Sequence, residues 1–218
     1  MIELRDVVVA YESRVILDSI NLTIDDGETL VILGGSGSGK STLLRLIIGL
    51  QRPTSGQIIV DGVDITTLSE EEFNKVRQKM GMVFQYSALF DSMSVGENVA
   101  FGLREHTNLS DDKIQHSVDE RLDWVGLSGY ESYMPNELSG GMKKRVSLAR
   151  AIALDPTLIL YDEPSSGLDP ITSGTISMLI RGMQERLGCT SIVVTHDMQS
   201  AFYVADRIAL LDKGKFIE

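Results

Sequence analysis

Nine consecutive residues, Gly34, Gly35, Ser36, Gly37, Ser38, Gly39, Lys40, Ser41 and Thr42, have the spacing that binds phosphate. Gly34 and Gly39 stand five apart and Lys40-Ser41 follow at once, completing the pattern G-x-x-x-x-G-K-[ST]. Glycines let the backbone wrap closely enough for several N–H groups to point inward at phosphate oxygens. A lysine at that offset reaches the β- and γ-phosphates of a nucleoside triphosphate, and the serine hydroxyl ligates Mg²⁺. A flexible glycine-serine turn has no need of Lys-Ser there. The dinucleotide fingerprint G-x-G-x-x-G, counted from Gly34, meets Ser36 where it requires glycine.

Two carboxylates supply the other half of a phosphoryl-transfer site. Asp162 and Glu163 follow the apolar run 158–161. Such chemistry needs one carboxylate in the Mg²⁺ shell and a group to orient or deprotonate the attacking water. We assign Asp162 to the metal and Glu163 to the water. Adjacent residues at a strand end point to opposite sides unless the backbone turns. Gln85 closes the run 80–84 and is within reach of metal or water. His196 closes 190–195, where it would touch a γ-phosphate. Tyr11 is a candidate for stacking on adenine, whereas His106 and His116 read as surface residues of a helical region. Ser139, Gly140 and Gly141 open a helix, which makes a second anion-binding N-terminus. One phosphate loop already serves one triphosphate. The second site therefore points to a partner subunit's nucleotide, and so to a head-to-tail dimer.

The elements that hold these residues follow from periodicity and punctuation. Residues 29–33 are a short apolar run ending at the loop and read as a buried strand; 42–48 read as a buried helix stopped by Gly49. Alternation over 2–9 suggests an edge or half-buried strand, and 15–24 one or two more, so an antiparallel β-lobe precedes the nucleotide strand. Strands are expected at 57–60, 80–84, 158–161, 190–195 and 207–211, with helices over 69–79, 172–187 and 198–205. From 86 to 153 strand patterns vanish and helices at 94–105, 110–125 and 140–153 follow one another. In the last of these Leu148, Ala149, Ile152 and Ala153 form an apolar face, while Lys143, Lys144, Arg145 and Arg150 decorate its start and side. The fold class is α/β, with residues 1–85 and 154–218 as the nucleotide-binding core and 86–153 as an inserted helical lobe. A hairpin turn at 212–215 leads into a strand that runs to Glu218.

The 218 residues suffice for one large domain, and 43% hydrophobic with 23% charged residues is an ordinary globular balance. A net charge of −11 argues against a broad nucleic-acid surface. A single cysteine, Cys189, excludes an internal disulfide and fits a reducing compartment. The polar start is no signal peptide, and no apolar run approaches the roughly 18–20 residues that span a bilayer. A membrane role would require recruitment by another protein.

Taken together, GGSGSGKS (34–41), Gln85, LSGGM (138–142), LILYDE (158–163), SSGLD (165–169) and His196 resemble the ATP-binding cassette family, the nucleotide-binding subunits of ABC transporters, over essentially the full length. The phosphate loop alone is shared by many NTPases; its combination with LSGG and the later histidine, in this order, is specific. The resemblance implies a two-lobed fold and a dimer that sandwiches two ATP molecules with Mg²⁺. Each ATP would lie between one subunit's phosphate loop and the other's Ser139, Gly140 and Gly141, with Tyr11 at the adenine, Asp169 at the seam and Gln85 linking the metal site to the helical lobe. Hydrolysis would drive a membrane permease docked near 85–100. Residues 84–107 (FQYSALFDSMSVGENVAFGLREHT) and Met142, which stands where most ABC signatures carry glutamine, are similar to the Mla-type phospholipid-transport ATPases. That likeness implies an MCE-domain lipid-binding partner and a peripheral place on the cytoplasmic face of the inner membrane. The alternatives are an importer ATPase for amino acids or another polar solute, and a soluble ABC protein of DNA repair or translation. The latter usually carries two cassettes, coiled coils or basic surfaces, and this chain has none.

Overall fold

The computed structural model of the chain describes residues 1–12 and 14–217. Two sheets share one framework. The smaller is antiparallel, with order β2-β1-β4-β5, built from β1 (Ile2–Tyr11), β2 (Arg14–Ile24), β4 (Ser55–Val60) and β5 (Val63–Asp64). β1 pairs with β2 on one side and β4 on the other, so of the two alternatives that its alternation left open it is the half-buried strand, and central rather than an edge. The reason lies downstream. Residues 55–60 return to the lobe after the first helix, so the lobe is completed from both sides of the phosphate loop.

The larger sheet runs β10-β9-β3-β8-β7-β6. β3 (Thr29–Leu33), β6 (Met80–Val83), β7 (Leu158–Asp162), β8 (Thr190–Thr195) and β9 (Arg207–Asp212) are parallel, and β10 (Lys215–Ile217) is an antiparallel edge. Glu218 lies outside the described residues. The β-branched runs are buried on both faces, as parallel strands require. Successive side chains take opposite faces. Leu30, Ile32, Leu160, Ile192 and Val194 join a core with α1 (Lys40–Ile47) and the antiparallel sheet. Val31, Ile159, Tyr161 and Val193 join a second core with the helices. Each fully buried Leu, Ile or Val contributes about 1.5–3 kcal/mol.

The helical lobe comprises α3 (Val95–His106), α4 (Asp111–Trp124) and α5 (Gly140–Ala151). Val95, Val99 and Leu103 on α3 face Ile114, Val118 and Leu122 on α4, each set spaced by four. The start of α3 is fixed by a capping box in which the Ser94 hydroxyl accepts from the N–H of Glu97. α2 (Glu70–Arg77) begins with the same device at Ser69 and Glu72. The lobe's apolar residues belong to one cluster with Tyr161 and Val193 of the parallel sheet. α6 (Pro170–Leu187) and α7 (Met198–Val204) cover the rest of that face.

Candidate nucleotide-binding site

Parallel register brings the functional residues to one edge. Leu33 is paired with Thr195, Asp162 with Val194 and Val83 with Tyr161, so Gly34, His196 and Glu163 leave the sheet side by side, with Gln85 two residues beyond β6. Ligands of open α/β sheets bind outside these carboxyl ends.

The phosphate loop is built around close approaches. A Cβ on Gly34 would lie 2.3 Å from the Leu211 carbonyl oxygen, and one on Gly39, whose φ is 111°, would lie 2.6 Å from Leu17. Either glycine is therefore dictated by what stands behind it. Around Gly35 and Gly37 an added Cβ would meet nothing within 4 Å. The loop is backed by the β9–β10 turn, where the Gly214 N–H donates to the Ser38 carbonyl at 3.0 Å. Lys40 is buried, and its ammonium donates to the carbonyls of Gly34 at 2.8 Å and Gly35 at 3.0 Å. An ammonium has three donors, so one is left for a phosphate oxygen. The Ser38 hydroxyl is buried without a hydrogen-bond partner, a donor suited to an anion lying in the loop.

Ser41 Oγ donates to Asp162 Oδ1 at 2.9 Å. A hydroxyl and a carboxylate side by side are the hard oxygen donors that Mg²⁺ takes from protein, its remaining positions going to phosphate and water. Loop and oxygen pair thus fit the triphosphate and its metal. Burial pushes the Asp162 carboxyl above the usual carboxylate range, the Glu163 charge adds to this, and the Ser41 hydrogen bond opposes it.

Glu163 has φ of 47°, and its N–H donates to the Val194 carbonyl at 2.9 Å. This is the backbone turn that two neighbouring carboxylates require to serve one site. Its Oε2 accepts from Thr195 Oγ1 at 3.2 Å, the His196 N–H at 3.4 Å and His196 Nδ1 at 2.9 Å. Its Oε1 lies 3.8 Å from Lys40 Nζ. One carboxylate oxygen is fully engaged and the other faces the phosphate-loop lysine, Lys40. The His196 ring is otherwise exposed.

The remaining expected residues lie farther out. Gln85 Nε2 donates to Ser166 Oγ at 3.4 Å, so its side chain bridges to the loop after Glu163 and has no bond to Asp162 or Ser41. Tyr11 is exposed at the end of β1. Ser139 caps α5 by accepting from the Met142 N–H at 3.3 Å, and both Ser139 and Gly140 are exposed. A Cβ on Gly141 would stand 2.6 Å from Thr172 of α6. Asp169 caps α6, accepting from the N–H groups of Ile171 and Thr172, and the Thr172 hydroxyl bond holds its carboxyl below the usual range. Residues 139–142 and 167–169 line a cleft of 530 Å³, and no phosphate-loop residue borders it. His106 and His116 are exposed.

The basic residues of α5 correct the sequence reading. Lys144 is buried, with its ammonium donating to the Gln85 carbonyl. Burial pushes that ammonium down, against the pull of Asp162 and Glu163. Arg150 donates to the carbonyls of Ala88 at 2.7 Å and Ser87 at 2.8 Å, and Arg145 to those of Val125 at 3.1 Å and Gly126 at 3.2 Å. Only Lys143 is left as decoration. Charge runs at a helix start are usually solvated, and nothing in the sequence places backbone carbonyls opposite this one.

A parallel sheet with a phosphate loop after β3, two carboxylates at the end of β7 and an inserted helical lobe defines a phosphate-loop ATPase of the cassette class. The chain belongs to the ABC transporter family, whose profile matches residues 17–166. It is 47% identical over 217 residues to the intermembrane phospholipid transport system ATP-binding protein MlaF of Haemophilus influenzae, covering 100% of this chain and 82% of that one. The methionine import ATP-binding protein MetN of Haemophilus ducreyi is 42% identical over 222 residues, covering 100% of this chain and 64% of MetN. Among solved structures, the dimeric post-hydrolysis state of the ATP-binding cassette MJ0796 bound to ADP and Pi superposes with a TM-score of 0.93. It is 35% identical and covers 100% of this chain and 97% of the other.

Proposed function

We propose that the chain is the ATP-hydrolysing subunit of a phospholipid transporter. It works as a head-to-tail homodimer on the cytoplasmic face of the inner membrane, with a permease and an MCE-domain lipid-binding protein. No helix among the described residues is long and apolar enough to cross a membrane, so the permease supplies the attachment. The observation that carries the lipid reading is the full-length 47% identity to MlaF, which residues 84–107 and Met142 support.

In hydrolysis, the 34–42 loop and Lys40 hold the β- and γ-phosphates, and Tyr11 stacks on the adenine. Ser41 and Asp162 would hold Mg²⁺, and Gln85, now bonded to Ser166, would be within reach of the metal and the water. When bound, Mg²⁺ neutralises charge on the phosphate oxygens. Thr195 and His196 fix Glu163 through Oε2. That leaves Oε1 to orient the attacking water and take its proton. His196, hinged on Glu163, is placed to donate to the γ-phosphate. Ser139, Gly140 and Gly141 of a second copy close the site from the opposite side, and Asp169 lies at the seam between copies.

A second reading, import of a polar solute such as an amino acid, draws on the 42% identity to MetN. Purifying a tagged copy from gently solubilised native membranes separates the two. Recovery of a permease, an MCE-domain protein and bound phospholipid supports lipid transport. A permease with a soluble solute-binding protein and no lipid overturns it in favour of import.

A further inference from the structure

The phosphate-loop helix is fastened at its far end as well. α1 spans eight residues from Lys40, about 12 Å. Where it ends, two arginines cross between it and α2. Arg77 of α2 donates from Nε to the Ile48 carbonyl at 3.0 Å and from Nη2 to the Gly49 carbonyl at 3.1 Å. Its Nη1 donates to Glu70 and to Asn74 Oδ1, the latter at 2.6 Å. In return Arg52, three residues past Gly49, donates to the carbonyls of Thr66 and Leu68, which lead into α2. Phe73 fills the gap between the helices. Its ring lies 4.5 Å from the Arg77 guanidinium, and a Cβ on Gly49 would stand 2.4 Å from it. The ring and a φ of 69° both require glycine there.

This clasp supplies what packing alone does not. Leu43, Leu44, Leu46 and Ile47 are buried, but apolar burial is non-directional and does not fix a helix along its own axis. Hydrogen bonds from a rigid guanidinium fork are directional, and a cation at the carbonyl end of a helix suits its dipole. The other end of α1 has no side-chain cap, only Gly39 in a left-handed conformation. The axial position of α1 is therefore set from Arg77, and Lys40 and Ser41 move with it.

We infer that Arg77, supported by Arg52, is a positioning residue for nucleotide binding: it sets where the phosphate loop stands along the α1 axis before ATP arrives. The inference rests on the 34–42 loop holding ATP, as proposed above. The hydrogen bonds of Arg77 all go to residues outside 34–42, so it acts only through α1. Loss of the clasp lowers the fraction of chains whose loop is preformed, and the apparent affinity falls by that fraction. Bound ATP draws the loop back into place, so turnover at saturation keeps its rate.

Full-length chains carrying Arg77→Met and Arg77→Lys test it through the Kd for ATP well below the melting range, ATPase kinetics and thermal denaturation. Arg77→Met keeps an apolar stem over Phe73 and loses both carbonyls. Its Kd and KM should rise about tenfold, the worth of one hydrogen bond from a charged group, with kcat near wild type. Arg77→Lys, which reaches one carbonyl, should fall between the two. An arginine that only stabilised the fold would give a lower Tm with an unchanged Kd in the folded chain, and that result overturns the inference. A fall in kcat with unchanged KM overturns it too. Where Arg77→Met does not fold, Arg77→Lys serves alone. It keeps the charge but cannot fork across two carbonyls, so an unchanged Kd in it overturns the inference. Lys40→Ala separates the two levels. Wild-type ATP affinity in that chain defeats the phosphate-loop reading itself, whereas its expected loss beside a normal Arg77→Met chain defeats only the clasp.

Discussion

Two helix N-termini in this molecule, both proposed above to bind phosphate by the same physics, are finished in opposite ways. At α1 the phosphate loop is surrounded by its own chain. Lys40 and Ser38 are buried, Ser41 is bonded to Asp162, and Glu163 is held by Thr195 and His196. At α5 the capping Ser139 and Gly140 are exposed, and the cleft beside them borders none of the first site's residues. The difference teaches which half is catalytic and which half is recognition. A group that must hold a water to within fractions of an ångström needs several fixed partners. A group that must engage and release a second molecule has to stay at the surface.

That contrast can be broken at either end. The largest expected effect is at Glu163. Glu163→Gln keeps the shape and the hydrogen bonds but not the base, so turnover should fall by about 10²–10⁴. Binding of ATP should persist, as equilibrium dialysis would show. Lys40→Ala should instead weaken ATP binding, by about a hundredfold, through loss of a charge-assisted contact. Equal binding by the two variants would remove the distinction between holding and reacting. Gly39→Ala should destabilise the fold by about 1–3 kcal/mol, from its positive φ and the approach of Leu17, read as a shift in denaturation midpoint. Asp169→Ala should have the smallest effect, a modest loss of thermal stability from the missing cap of α6.

The Asp162 carboxyl gives the contrast a pH dependence. Its folded pKa is raised by burial, so the metal-free fold binds this proton more tightly than the unfolded chain does. Relative to Asp162→Asn, the metal-free wild type should gain stability as pH falls through the raised value. It should be the less stable of the two above that range. Denaturant titrations at several pH values check the sign.

The closed half was largely legible. Its loop is contiguous, and its other groups each follow a short apolar run, so a parallel sheet had to bring them together. The harder features depend on chain folding back. β1 becomes central only because 55–60 returns to it, and Glu163 reaches the site only through a φ that no residue type announces. Lys144 and Arg150 looked like solvated charge because their partners are main-chain carbonyls some 60 positions away. For the open half, the sequence suggests a second phosphate-binding helix start, and the structure adds that Ser139 caps α5 at an exposed surface.

The most direct test of this division is the mass and nucleotide content of the Glu163→Gln chain in ATP and Mg²⁺, alone and combined with Ser139→Arg. The single variant should sediment as a dimer retaining two nucleotides. The double variant should be a monomer that still binds ATP, because bulk and charge at Ser139 obstruct only the partner's phosphate. A monomeric, ATP-bound Glu163→Gln chain, or a double variant that still dimerises, would contradict the account.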